Sequence, residues 1–438
     1  MKVVIMAGGK GSRISSITNN VPKPMIKINN KPILEHEIES LKAQGFTDFI
    51  ITVNHLKEAI IEYFGDGSNI SPVTNQSFGV NIKYFIEKEP LGNAGALFKL
   101  KDILVEDFVL LNGDIVFDID FHRFITFHKK HGGLVTLFTH PNTHPYDSAL
   151  IVANENAVVN QWLEKDDIRP SYYRNRVNAG IHIINPAILD IPISTKKINL
   201  DKHILKPLSR TGKMFCYDSP EYVKDMGTPK RYYNVCSDYD RGIIAAKNLK
   251  NKQKAVFLDR DGTINKYVRF LHNIDDFKLI EGVAEAIKKI NESGYLAIVI
   301  TNQPVIARGE LDYEELDLIH NKLETLLGDK HAYIDAIYYC PHHPHKGYEG
   351  EREELKIQCT CRKPQPGMLL KAALDFNIDL EQSWMVGDRE SDIKAGKSAG
   401  CKTVLIGNEK LGQDFSVNSL FEFIEILYEH NNLLKENI

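Results

Sequence analysis

Asp259 and Asp261, two residues apart and followed by Gly262 and Thr263, carry the most pointed chemistry in this chain. Carboxylates this close can hold a divalent cation through oxygen, or divide nucleophilic and acid–base work between them. A second group is built from sulfur and imidazole. Three of the six cysteines, Cys340, Cys359 and Cys361, fall within 22 residues beside His342, His343 and His345. In a reducing compartment such clustering points to a metal ion rather than to disulfides. The pairs Cys340-Pro341-His342 and Cys359-Thr360-Cys361, 16 residues apart, offer three thiolates and one imidazole, a set that suits tetrahedral Zn²⁺. A third group opens the chain: Gly8, Gly9 and Gly11 are interleaved with Lys10 and Arg13. Glycines let backbone N–H groups approach a phosphate chain, and nearby cations neutralise it. Singly, each feature has a plainer reading, an Asx-rich turn for the aspartates and a solvated surface for the lysines.

These residues need elements to hold them. Ala255-Val256-Phe257-Leu258 is an apolar run suited to a strand buried on both faces of a parallel sheet, and it delivers both aspartates to its carboxyl end, where open α/β sheets bind ligands. Such a strand begins a domain, so the chain starts afresh near residue 252. Upstream, Lys2–Ala7 reads as a strand feeding the glycine loop, followed by a helix from about Pro32 to Gly45 and strands at Phe49–Val53 and Phe108–Leu111, the last ending in Asn112-Gly113-Asp114. Downstream, Ala297–Ile300 leads into Thr301-Asn302-Gln303, and Met385-Val386-Gly387 ends at Asp388. The polar stretch Lys247–Lys254 reads as a connector. The expectation is an α/β protein of two doubly wound domains, 1–245 and 253–438, joined by a linker at 246–252, with a metal loop at 340–361 in the second.

Composition limits the partners. With 438 residues, 43% hydrophobic and 26% charged, the chain is of globular type and too long for one core. Its net charge of −4 announces no nucleic-acid surface. No apolar run reaches membrane-spanning length, and MKVVIMAGGKG reads as a strand and loop rather than a signal peptide, so a cytoplasmic protein with no membrane partner is expected.

The order of motifs in the first half resembles the sugar-1-phosphate nucleotidyltransferases, whose domain is Rossmann-like (GT-A-like). Ala7-Gly8-Gly9-Lys10-Gly11-Ser12-Arg13 precedes Pro22-Lys23-Pro24-Met25, and Glu89–Ala96 is similar to that family's nucleotide-contacting loop through Gly92, with Asn93 where Thr is usual. The resemblance implies Mg²⁺ on Asp114 and Asp225, a sugar phosphate held by Lys165, and sugar contacts from Asn178 and Gly180. It also implies that Arg13 holds the leaving phosphates and Lys23 the region of the α-phosphate. Attack of a sugar phosphate on an NTP joins two polyanions, so positioning and charge neutralisation carry the catalysis. Phe64–Gly67 and Asp225-Met226-Gly227-Thr228-Pro229 look most like mannose- and heptose-1-phosphate guanylyltransferases, which ranks GTP first among the nucleotides. No hexapeptide repeat follows.

The second half resembles the haloacid-dehalogenase (HAD) phosphatases, and within them the histidinol-phosphate and heptose-bisphosphate group, through Asp259–Asn265, Thr301–Gln303, the CPHHP run at Cys340 and the CTCRKPQPGM run at Cys359. The resemblance implies Asp259 as nucleophile, Asp261 as general acid–base, and Mg²⁺ between Asp259, the carbonyl of Asp261 and Asp388, with Asp392 a weaker candidate. Thr301 and Asn302 would bind the transferring phosphoryl group and Lys363 would face it. Arg308 or Arg362 would take a distal phosphate. Structural Zn²⁺ would sit on Cys340, His342, Cys359 and Cys361, with His343 and His345 as competing imidazoles. Pro304-Val305 stands where relatives usually have Ser-Gly, which stiffens the loop. Together the halves suggest a bifunctional enzyme of GDP-heptose synthesis. The rivals are a histidinol phosphatase fused without pathway meaning and a non-catalytic nucleotide-sugar sensor.

Overall fold

The computed structural model describes residues 1–9, 14–18, 21–347 and 349–436. The chain forms two compact units: Met1–His140 with Ile151–Glu164 and Asn178–Asn248, and Pro141–Leu150 with Lys165–Val177 and Leu249–Ile438. The break after Asn248 falls in the polar stretch read as a connector. The second unit also takes in two stretches of the first half, 141–150 and 165–177, which no shift in composition signals.

In the first unit Val3–Met6 lies parallel to Asp48–Val53 on one side and to Phe108–Asn112 on the other, inside a nine-stranded sheet. Asn81–Ile86 extends it beyond Asp48–Val53, and Val177–Ile184 joins Phe108–Asn112 antiparallel. The chain therefore builds outward in one direction, then returns to add strands on the other side of its first strand. That reversal leaves a crevice at the carboxyl ends of Val3–Met6 and Phe108–Asn112. Val3 and Ile5 pack in one layer with Leu34, Ile38 and Leu41 of the helix Ile33–Lys42, while Val4 on the opposite face is also fully buried. The helix starts after Pro32 and gives way to a turn ending at Gly45 (φ +90°), three residues beyond its last turn.

Among the described residues the second unit holds a sheet of six parallel strands in the spatial order Ala336–Cys340, Leu296–Asn302, Ala255–Leu258, Trp384–Gly387, Lys402–Ile406, Phe415–Val417. Val256 and Leu258 enter one apolar layer with Val283, Ile287 and Ile290 of the helix Val283–Glu292. Ala255 and Phe257 enter the opposite layer with Met368, Leu369 and Ala372 of the helix Gly367–Phe376. Burial on both faces is why this strand has no polar alternate residues. Here too the winding reverses, between Ala255–Leu258 and Trp384–Gly387, so Asp259 and Asp388 emerge side by side.

The helix Tyr313–Gly328 buries Leu316, Ile319, Leu323 and Leu327 at helical spacing. Its start is locked reciprocally: Asp312 accepts from the Glu315 N–H at 2.8 Å, and the Asp312 N–H donates to Glu315 Oε2 at 2.8 Å. Toward its other end the helix serves the 165–177 stretch. The Asn175 N–H donates to Glu324 Oε2 (2.8 Å) and the Tyr173 N–H to Thr325 Oγ1 (2.9 Å). These bonds draw that stretch into the second unit. Asp312→Ala removes the cap and should cost about 1 kcal/mol, read as an earlier denaturant midpoint for the second unit with an unchanged m-value.

Candidate active sites

Backbone register assembles the first crevice. Ile181 pairs with Leu111 antiparallel, Gly180 follows close to Asn112, and Asn178 lies two residues further back on the same strand. Gly180 has φ +77°, and a Cβ there would lie 2.5 Å from Asn112 Nδ2, so only glycine fits. Asp225 pairs with Ile115, and the Met226 N–H donates to the Asp114 carbonyl (3.1 Å), which brings the second acid to the same edge. Lys23, in the single turn Lys23–Met25, is buried and ion-paired with Asp114. Arg231 reaches both oxygens of Asp225, at 2.8 and 2.7 Å. Burial pushes Asp225 up, but Arg231 outweighs it and holds the carboxyl below the usual range. Near Asp114, burial and then the Asp114 charge push the buried Glu37 carboxyl well above the usual range. Two carboxylates brought to one sheet edge are oxygen donors of the kind Mg²⁺ prefers, and Lys23 and Arg231 face them.

The loop expected to contact nucleotide is stapled to one neighbouring segment. Gly92 (φ +83°) lies where a Cβ would come 2.2 Å from the Ile198 carbonyl. The Ile198 N–H donates to Leu91 O (2.7 Å) and the Ala94 N–H to Ile198 O (3.1 Å). Asn93 accepts from the Leu200 N–H at 2.8 Å, so the residue that departs from the usual Thr serves as a brace. Gly8 sits against Asn54 and Glu87. Gly11 and Arg13 lie outside the described residues. Lys165 belongs to the second unit, where its ammonium is 3.6 Å from Asp147.

The second crevice is more deeply buried. Lys363 Nζ lies 2.7 Å from Asp259 Oδ1, 2.7 Å from Asp392 Oδ1 and 2.7 Å from the Ile300 carbonyl. One ammonium is thus divided between two acids. Burial, only partly answered by Lys363, pushes Asp259 up to about 7. Burial also works against the Lys363 charge, but the two carboxylates prevail and its pKa is raised. Asp388 is pushed up by burial and by Asp392, and its Oδ1 is buried with no hydrogen-bond partner. Gly262 (φ +94°) leaves the room this needs, since a Cβ would stand 2.2 Å from Asp388 Oδ2. One oxygen from each of Asp259, Asp388 and Asp392 falls within 4.8 Å of the others. Three acids, one shared ammonium and an orphaned oxygen fit a divalent cation. Asp392 Oδ2 in addition accepts from the Arg389 N–H (3.0 Å), starting its own helix.

Asp261 accepts from Arg260 (2.8 and 3.0 Å), Asn265 (2.9 Å) and Gln303 (3.0 Å). Burial raises its pKa, but Arg260 and these amides outweigh it and hold the carboxyl below the usual range. Arg260 is itself wholly buried and reaches His320 Nε2 at 3.3 Å. The sequence signal for this pair was a charged residue set between two aspartates. Thr301 ends up inside the strand Leu296–Asn302, its hydroxyl accepting from Gln303 (2.8 Å), and so is not a helix cap. The Asn302 amide clamps the Lys363 backbone from both ends, at 3.0 Å each, and so places the lysine. Arg308 lies 4.0 Å from the Phe270 ring centroid and pairs with Glu310, and Arg362 donates to the His342 carbonyl (3.1 Å).

The sulfur cluster is compact. Cys340, Cys359 and Cys361 Sγ atoms are 3.2 to 3.6 Å apart, none in a disulfide, and His342 Nδ1 lies 3.4 Å from Cys361 Sγ. His343 and His345 instead pair with each other, ring centroids 5.3 Å apart. Four ligand atoms of this kind can hold one metal ion in a closed shell.

Residues 2–242 match the nucleotidyl transferase family, and residues 360–414 match the HAD-hydrolase-like family. Mannose-1-phosphate guanyltransferase of Schizosaccharomyces pombe is 30% identical over 277 residues, 61% of this chain and 73% of that protein. D-glycero-beta-D-manno-heptose-1,7-bisphosphate 7-phosphatase of Haemophilus ducreyi is 44% identical over 155 residues, 35% of this chain and 82% of that one. Among solved structures, HddC from Yersinia pseudotuberculosis aligns with a TM-score of 0.46 at 25% identity, covering 54% of this chain and 99% of that one.

Lys363→Met leaves Asp259 and Asp392 facing each other without their ammonium. Hydrolysis of a phosphomonoester should fall about a hundredfold or more in kcat while nucleotidyl transfer is kept, each followed by its own phosphate or pyrophosphate assay. Cys359→Ser should abolish one equivalent of bound metal in elemental analysis and lower the unfolding temperature of the second unit.

Proposed function

The chain belongs to the nucleotidyl transferase family through residues 2–242 and carries a HAD-like phosphatase after it, and we propose that the two act in turn on one sugar. The phosphatase takes the 7-phosphate from D-glycero-α-D-manno-heptose 1,7-bisphosphate. The transferase then joins the resulting 1-phosphate to GMP from GTP, releasing pyrophosphate. The observation that supports this reading is that one chain carries three acids gathered about Lys363 at Asp259 and a second pair of acids, Asp114 and Asp225, at a separate sheet edge. The product of the first reaction is the substrate class of the second.

In the first reaction an Asp259 oxygen attacks phosphorus and the sugar alkoxide leaves, taking a proton from Asp261. Water then attacks the aspartyl phosphate, giving its proton to Asp261 and returning Asp259. Asp261 must carry a proton for the first step, and an arriving phosphate dianion beside it raises its proton affinity against the pull of Arg260. Mg²⁺ held by Asp259, Asp388 and the carbonyl of Asp261 would offset the repulsion between nucleophile and dianion. In the second reaction a phosphate oxygen of the sugar attacks the α-phosphorus while pyrophosphate departs. Lys23 and Arg13 would hold the phosphates, Asn178 and Gly180 the sugar phosphate, and Asp114 with Asp225 a second Mg²⁺; Lys165, which the fold gives to the second unit, is left out of this site. Zn²⁺ on Cys340, His342, Cys359 and Cys361 would serve only to pin the loop. Arg308 supports the distal-phosphate role best, because Phe270 and Glu310 already fix its guanidinium.

The guanyltransferase relatives support guanine, and the phosphatase relatives support a heptose bisphosphate, although theirs is the β-anomer. The α-anomer is proposed from the pairing with a guanylyl half. The test offers both anomers of the bisphosphate and histidinol phosphate to the phosphatase, and heptose and mannose 1-phosphates with four NTPs to the transferase. Preferred release of phosphate from the α-bisphosphate, with pyrophosphate from GTP and heptose 1-phosphate, is the expected result. Preference for histidinol phosphate, or for mannose 1-phosphate, overturns it. Asp114→Asn should remove pyrophosphate release and leave phosphate release intact.

A further inference from the structure

His182 lies on the strand Val177–Ile184, four residues beyond Asn178, and is 1% exposed. Its Nε2 is 3.1 Å from Asn178 Oδ1. The same Oδ1 accepts from the Gly180 N–H at 3.2 Å. A backbone N–H can only donate, so the Asn178 atom between them is the oxygen, and His182 must donate to it from Nε2. The proton on the ring is then fixed at Nε2. Nδ1 is buried without a hydrogen-bond partner, and burial pushes the imidazole pKa down to about 3, so the ring stays neutral throughout the working range. Two donors on one oxygen set which way the amide faces. Its Nδ2 is then turned away from both donors.

We propose that His182 is a positioning residue for nucleotidyl transfer: by donating to Asn178 Oδ1 it keeps the Asn178 amide turned so that Nδ2 donates to a hydroxyl of the sugar 1-phosphate. The inference rests on Asn178 contacting the sugar, but not on which sugar that is. Without the histidine donor the Gly180 N–H alone, among the described residues, holds the oxygen, and the amide can rotate to offer the sugar an acceptor instead.

The test measures KM for both substrates in the full-length enzyme, with whichever sugar 1-phosphate the wild type uses best. His182→Phe keeps a ring and removes the donor, and should raise KM for the sugar phosphate about five- to tenfold, the loss of one neutral hydrogen bond, with KM for the NTP and kcat within about twofold. His182→Gln, which restores an N–H, should recover most of that loss. In an Asn178→Ala background His182→Phe should add nothing further, because the histidine acts through that amide. An unchanged sugar KM, equal rises in both KM values, or full additivity with Asn178→Ala would each overturn the proposal. Should the phenylalanine variant not fold, His182→Leu against His182→Gln reads the same comparison. Use of mannose rather than heptose 1-phosphate would remove the substrate proposed above and leave this inference standing.

Discussion

A parallel sheet wound first one way and then the other must open at the point of reversal, and both units depend on that geometric constraint. Helices cover the faces of such a sheet, so the carboxyl ends of its strands are the places where polar groups can gather without breaking a core. In the first unit the reversal lies between Val3–Met6 and Phe108–Asn112, and Asp114 stands on its edge. In the second it lies between Ala255–Leu258 and Trp384–Gly387, and Asp259 and Asp388 stand on either side. The strands contribute apolar residues to two layers and acids only at their tips.

The two crevices balance charge differently. Each acid of the first has its own cation, Lys23 for Asp114 and Arg231 for Asp225. The second collects Asp259, Asp388 and Asp392 about one ammonium. Paired acids in a shallower setting stay ionised, as Asp225 does, whereas crowded and buried acids are pushed toward the neutral form, as Asp259 is. Three acids gathered about a single ammonium are a donor set that a divalent cation fits.

The sequence made the strands and their acid-bearing ends legible because the signal is local: four apolar residues followed by an aspartate can be read without knowing what packs above them. The cysteine cluster was readable for the same reason, and His342 is the imidazole that lies with it. What stayed hidden depends on contacts between distant segments. Asn302 reads as a phosphate-binding amide, and only the fold shows the Lys363 backbone, 61 residues away, against both of its ends. Arg260 reads as a spacer in a motif until His320 is found beside it. His182 carries no sequence signal, since a histidine within an apolar strand is more often simply buried.

The stretch 165–177 has a consequence for how the protein is made. The Tyr173 and Asn175 main-chain donors find their acceptors on Thr325 and Glu324, 152 and 149 residues later. A ribosome adding about 5–20 residues per second leaves those groups waiting on the order of ten seconds or more before their acceptors emerge. During synthesis, therefore, part of the first half stays hydrated and open until the second half arrives to close over it. Two genes expressed separately would each leave that closure undone.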